Sequence, residues 1–495
     1  MLTVHLRITD AATNKPVPVR VRVTGPDGAQ YAPLGRSAEF AGGRNEDVGG
    51  HLRVGRERWF YIDGACEVSL PAGVPIRVQA AKGPEWTPLD TTVTLGVGQI
   101  SLRFTIARWT DSRAENWASV DTRCHFISPH AALLEAQAEG LDAANVLATP
   151  IPVLTMDANT YTTTPNLLAF SGQVSALERI GHAVFVNTFN THPVLGKVAL
   201  LNSHRPVFPL TFGGEDSDDW GVCDWADQCH RKGGLVVWVD AFESAGGVTG
   251  GESLVAAILG KIDAIEVCAK PRKAPLLPWV YRLWNAGVLV PLVGASGKDS
   301  NAIQLGAMRT YARVREEPLS PTPFPDKGGG GRHQDEANGD DSSLTPPPLS
   351  GKGVGERGSS WVESIRAGCT FVSAGPLLTL VVEGQSARAN LRSPLDARVE
   401  IVANGEVVAS GDRTAEVTLS EPGWVAVRAT GSAGFAHTSS VAVGPIQRQP
   451  EAVTALRALI EQTREWIETQ GRFANPKRKQ TLLDRCTEAA RKLEG

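Results

Sequence analysis

This sequence has little net charge, no long apolar run and no cysteine framework, and each lack closes off a class of function. Lys and Arg number 49 against 53 Asp and Glu, a formal net charge of −4. That balance leaves no electrostatic footprint for nucleic acid or an anionic membrane surface. No apolar stretch approaches the roughly 20 residues needed to cross a bilayer. The opening decapeptide, MLTVHLRITD, has neither the basic n-region nor the apolar h-region of a secretory leader, so the chain as given is expected to stay in the cytoplasm. The seven cysteines, Cys66, Cys124, Cys223, Cys229, Cys268, Cys369 and Cys486, are scattered and odd in number. They do not read as a disulfide scaffold or a zinc finger, and are expected to be reduced. No Gly-x-Ser-x-Gly elbow occurs and no cysteine has a nucleophile's setting, so serine and cysteine hydrolysis are poorly supported.

What is present is an ordinary globular composition, 42% hydrophobic and 21% charged, in a chain long enough for roughly two to four domains. Residues 1–107 hold short alternating runs such as Val19-Arg20-Val21-Arg22-Val23, separated by turns such as Gly25-Pro26-Asp27-Gly28. This pattern predicts a β-sandwich. Its stretch from Asp10 to Gly28 resembles prealbumin-like accessory modules, serving either as a packing platform or in carbohydrate or partner binding. From about 108 to 382 apolar runs alternate with amphipathic ones, which predicts parallel strands and helices, hence an α/β barrel or doubly wound sheet. A strand is expected at Val207–Phe212, among others. Residues 316–359, with Pro346-Pro347-Pro348 and four glycines at 328–331, lack the apolar content for a core and predict a disordered insert, neutral or SH3-docking. Strand patterns return over 383–446, where Asn404-Gly405 signals a type I′ hairpin. Residues 447–495 predict two helices split at Asn475-Pro476, with Leu456, Leu459, Ile460, Thr463 and Ile467 on one stripe. That stripe packs either on the chain's own barrel or in a dimer interface.

The most informative stretch is Ser119-Val-Asp-Thr-Arg-Cys-His-Phe-Ile-Ser128. On a strand, alternate side chains share a face, so Asp121, Arg123 and His125 lie together. An Asp-x-His-x-His strand would aim two imidazoles at one metal. Here the middle position is Arg123, which has no acceptor lone pair and cannot bind a cation.

Outside the insert, the chain from about Thr3 onward resembles the CehA/McbA-like metallohydrolases, named after carbaryl hydrolase and related to the polymerase-and-histidinol-phosphatase (PHP) domain. The resemblance is carried by VDTRCHFISPHAALLEAQAEG at 120–140, LTFGGEDSDDWGVCDWADQCHRKGG at 210–234, GKIDAIEV at 260–267, RTYA at 309–312, GCTFVSAGPLL at 368–378 and AHTS at 436–439. It implies an irregular PHP-like (β/α) barrel and metal-dependent hydrolysis of esters, amides or phosphoesters, with ligands at the strands' C-terminal ends. Measured against that pattern, this chain departs at five ligand positions. Arg123 and Lys197 stand where histidines are usual, Val174 where a glutamate is, Asp240 near a usual histidine, and Gly297 in place of an aspartate.

The resemblance therefore implies a metal site that is reduced or lost. Arg123 and Lys197 would then substitute for metal charge by pairing with Asp121, Asp240 or Glu266. Alternatively, one zinc, manganese or iron ion is held by a subset of Asp121, His125, His182, Asp240 and Glu266, with His192, His204, Glu243, Asp299 and His437 in reserve. In a third reading Arg123, Lys197 and Lys298 form an anion pocket, and the protein is a non-catalytic binder of a small anionic ligand. A small-molecule ligand or substrate is the expected partner in each case. The oligomeric state is left open.

Overall fold

The computed structural model describes residues 1–494 except 38, 41–47, 155–159, 215–216, 272–274 and 315–360. The insert expected at 316–359 lies outside the described residues.

Alternation in the first 107 residues does what period two predicts. Val19, Val21 and Val23 are buried, while Arg20 and Arg22 keep partial exposure. One sheet runs in the order His51–Val54, Glu57–Ile62, Val19–Thr24, Pro75–Ala81, Leu89–Thr94. The other joins Ala65–Leu70, Leu2–Asp10 and Ser101–Ile106. Leu6, Ile8, Val21, Phe60, Val68 and Ile76 fill one core between them, each contributing about 1.5–3 kcal/mol by its burial.

The remainder is mixed α/β, with strand predominating. Its main sheet runs Leu292–Ala295, Ala264–Cys268, Leu235–Val239, Gly196–Leu201, His182–His192, Ala143–Ala148, Trp117–Cys124, Arg309–Arg313. The apolar runs predicted parallel pairing throughout. Arg309–Arg313 departs from it, antiparallel to both neighbours, and so does Gly196–Leu201. For the latter the cause is local: only Pro193, Val194 and Leu195 separate the paired His192 and Gly196, too few residues for a crossover. The strand expected at Val207–Phe212 does not form. Val207 and Leu210 are buried, but Pro206 and Pro209 flank Val207-Phe208 and bring no N–H to a ladder. The segment is held instead by a single parallel bridge between Thr191 and Thr211 and by Asn190, whose Nδ2 donates to Val207 O and Pro209 O, both at 2.9 Å.

The ladder path is open, and among the described residues no closed barrel of ladders forms. The edge strand Leu292–Ala295 nonetheless comes back to Trp117–Cys124. Thr122 Oγ1 donates to Gly294 O at 3.1 Å, Gly297 N to Arg123 O at 3.0 Å and His125 N to Lys298 O at 2.6 Å. Val120, Leu147, Phe185, Leu201, Val237 and Val293, one from each of six strands, share a core with Trp361 and Ile365 of helical residues 361–366.

Helices cover the outside. Trp225, Leu254 and Trp284 pack with Leu456, Ile460, Ile467, Leu482 and Leu493 of the last two helices, Pro450–Thr469 and Pro476–Glu494. The tail's apolar stripe is thus buried within its own chain. A hairpin, Leu377–Glu383 with Ser386–Arg392, spans residue 382, where the sequence suggested a boundary. The sheet also continues past that point. Thr370–Ser373 pairs with Arg309–Arg313 on one side and Ala436–Thr438 on the other. At the predicted hairpin, Asn404 and Gly405 have φ of 51° and 99°, the positive pair that a type I′ turn requires.

Candidate functional site

Strand Trp117–Cys124 delivers Asp121, Arg123 and His125 to the interior, and all three are buried. They do three different jobs. Asp121 is a backbone clamp. Its Oδ1 accepts from Arg123 N and Ser296 N, both at 3.1 Å, and its Oδ2 from Gly306 N at 2.8 Å. Burial pushes this carboxyl above its ordinary value, against the pull of those donors.

Arg123 points at the neighbouring strand ends. Its Nε donates to Glu266 Oε2 at 2.7 Å and its Nη2 to Glu266 Oε1 at 2.6 Å. Glu266 is fully buried, so this is the fork-to-fork pairing of an arginine with a carboxylate inside a core. Nη2 also reaches Cys268 Sγ at 3.4 Å and lies 3.9 Å from Asp240 Oδ1. The Phe189 ring sits below the guanidinium, 5.8 Å from its carbon. Burial alone would lower this group's pKa. The charge and hydrogen bonds of Glu266 outweigh burial and hold it above the usual arginine value.

Lys197 is paired in register with Val239, which brings its ammonium to the next residue, Asp240, at 2.7 Å. Asp240 takes φ 51° and Phe242 φ 61° in the turn after that strand; Phe126, after His125, takes φ 62°. Such conformations are costly for residues with a Cβ and concentrate at functional sites. The result is an alternating chain of charge, Glu266, Arg123, Asp240, Lys197, that is neutral within itself. A further pair, Lys270 Nζ to Asp299 Oδ2 at 2.7 Å, stands beside it.

His125 donates through Nδ1 to Leu147 O at 3.1 Å. A carbonyl only accepts, so the lone pair is on Nε2. Burial, then Arg123, hold its pKa down at about 3, and the ring stays neutral. Burial, then Glu266, push the Cys268 thiol up to about 11, which leaves no thiolate for nucleophilic attack.

The other expected residues lie elsewhere. His182 begins its strand, and Val120, Ala143 and Ala183 are in register. It therefore sits about 20 Å from His125, at the opposite end of the sheet, donating to Leu141 O at 2.5 Å. It cannot join a metal site with Glu266. Lys298 is fully buried and turned away from Arg123. It donates to Ile303 O at 2.9 Å and Ser300 O at 3.3 Å, and lies 3.4 Å from Glu135 Oε2. This placement removes it from any anion pocket with Arg123 and Lys197. His192 accepts from Leu195 N through Nδ1 and pairs through Nε2 with Asp218 at 3.0 Å. His204 bonds Lys232 O, and His437 bonds Tyr281 and Thr438 O. Val174 is exposed. Gly297 has φ +61°, and a Cβ there would stand 2.7 Å from Cys268 Sγ.

Sequence reasoning missed Cys268, Phe189 and Lys270, and offered Asp299 as a reserve metal ligand rather than as the partner of Lys270. Cys268 was findable, since it lies two residues beyond Glu266 on the same strand face. Phe189 lies on strand His182–His192, and its nearness to Arg123 depends on strand order, which periodicity does not give; Lys270 lies in a loop. Among the described residues no group of three or more His, Cys, Asp and Glu side chains is placed to hold a metal ion. The donor set itself does not fit a metal cluster, because Arg123 and Lys197 take up the carboxylates that would form it. No family model, no curated protein and no solved structure matches this chain.

Proposed function

We propose that this chain descends from the CehA/McbA-like metallohydrolases and has exchanged their metal cluster for an internal ion-pair network, ending hydrolysis at that site. The observation that carries the reading is the two-point contact between Arg123 and the fully buried Glu266. A guanidinium stands where a cation-binding imidazole is expected, and supplies the positive charge itself. The return of Leu292–Ala295 to Trp117–Cys124 supports a barrel-like ancestry for the open sheet. Lys197 and Lys270, both partly exposed, are the cations left facing outward at these strand ends. We assign this mouth to small-molecule binding rather than catalysis. A reducing compartment such as the cytoplasm fits seven unpaired cysteines. Among the described residues no helix is long and apolar enough to cross a membrane.

The test is metal analysis of full-length protein purified without chelator, together with a panel of nitrophenyl esters, anilides and phosphoesters assayed with and without added zinc, manganese or iron. Less than one equivalent of metal and no turnover above blank are expected. Two or three tightly held metals, with turnover lost on chelation, would overturn the reading.

A further inference from the structure

A second polar site lies at the other end of the sheet, where the strands begin, and is independent of the Arg123 network. A small cleft of about 30 Å³, room for roughly two waters, opens between the N-terminal β-layers and the carboxyl end of helix Pro129–Glu139. Its walls carry Lys82, Trp86, Arg108, Arg113, His182 and Arg309.

Two of these cations are deeply buried and lack a carboxylate. Lys82 is 6% exposed and Arg309 is 2% exposed. Lys82 Nζ donates to Pro18 O at 3.1 Å and to Gln137 O. Arg309 donates through Nε to Gly306 O at 3.0 Å and through Nη1 to Glu139 O at 2.9 Å. Carbonyls at a helix end are a natural seat for cations, but each of these takes one N–H. Arg309 Nη2 has no hydrogen-bond partner among the described residues.

The wall's own carboxylates are engaged. Glu85 accepts from Ser112 N, Ser112 Oγ and Tyr311 OH. Glu139 accepts from Arg20, Tyr61 OH and Gln304. Arg108 and Arg113 have partners in Asp111 and Asp142. The uncompensated charge is that of Lys82 and Arg309. Burial, then Arg113, pull the Lys82 ammonium down to about 7, as an unneutralised cluster should. Beside them the buried Trp86 ring lies under both Lys82 and Arg108.

We propose that this cleft binds a phosphate group, seated on Arg309 Nη2 and Lys82 Nζ with Arg113 beside it. The chemistry is shared by free inorganic phosphate and small phosphate esters, and the experiment separates them. Full-length protein is titrated at pH 7 and constant ionic strength, by calorimetry, with inorganic phosphate and with glycerol phosphate. One saturable site per chain is expected, weakened at least tenfold by Arg113→Gln and by Lys82→Gln in proteins whose circular dichroism matches wild type. Arg309→Gln should abolish binding; if it fails to fold, the other two variants carry the test. Tighter binding of the ester identifies an organic ligand, and equal binding identifies the free ion. No saturable binding of either probe, or affinity unchanged in both Arg113→Gln and Lys82→Gln, overturns the proposal.

Discussion

Arg123 and Glu266 meet through two near-parallel hydrogen bonds, Nε to Oε2 at 2.7 Å and Nη2 to Oε1 at 2.6 Å, with the carboxylate wholly out of solvent. Neither partner tolerates the loss of the other. Arg123→Ala leaves Glu266 buried and unpaired, and is expected to lower stability by about 3–5 kcal/mol. Urea denaturation measures it. A loss below about 1 kcal/mol would show that Arg123 is a solvated side chain.

The same pair should be dispensable when removed whole. Replacing both members by apolar residues of similar length, Arg123→Met with Glu266→Met, removes two charges and the cost of having buried them. The double variant is expected to lie within about 1–2 kcal/mol of wild type, well above the sum of the single losses. Additive losses in the cycle would disprove a dedicated pair.

Arg123→His restores the Asp-x-His-x-His strand and releases Glu266, while Asp240 keeps Lys197. It should be unstable alone and gain melting temperature with added zinc, since metal held only by the folded state adds to folding free energy. Wild type should show no gain. An Arg123→His protein indifferent to zinc would mean that the strand ends no longer present a ligand set.

Glu135 gives a pH dependence of defined sign. It accepts from Gly50 N at 2.9 Å and lies 3.4 Å from Lys298. Burial raises its pKa to about 7, with Lys298 pulling down and Glu139 pushing up. An unfolded glutamate titrates near 4.3. Between about pH 4.3 and 7 the folded chain holds this proton and the unfolded chain does not, so the stability it contributes is lost as pH rises through 7. Glu135→Gln should therefore gain on wild type by about 3–4 kcal/mol between pH 4 and 8. A constant difference across that range would refute the raised pKa.

Gly297 should resist the aspartate that the metallohydrolase pattern would place there. Its φ of +61° disfavours any Cβ, and that Cβ would meet Cys268 Sγ at 2.7 Å. Gly297→Asp is expected to cost about 1–3 kcal/mol. Part of the loss should return with Cys268→Ala, in thermal denaturation of the two variants.

Much of this was legible in residue order. Period two put Asp121, Arg123 and His125 on one strand, and the requirement that a buried cation find carboxylates pointed to Glu266 and Asp240. Asp121, the third candidate partner, is taken up by the backbone N–H groups of Arg123, Ser296 and Gly306. What could not be read is which end of an element a residue occupies. His182 and His125 look equivalent as strand histidines, yet one opens its strand and the other follows the end of its own. Lys298 follows strand Leu292–Ala295 as a ligand-bearing loop residue would, but the turn at Gly297 swings it to Glu135. At 206–212 the apolar content suggested a strand, and the prolines decided otherwise.

The ladder from Arg309–Arg313 through Thr370–Ser373 to Ala436–Thr438 has a practical corollary for dissecting the molecule. There is no seam at residue 382 along which to cut. A fragment ending there would bare a row of N–H and C=O groups on Thr370–Ser373 and recruit other chains as replacement strands. The piece beginning there would leave Ala436–Thr438 equally raw. Halves expressed separately should clump, whereas co-expressed halves should find each other and remain soluble together.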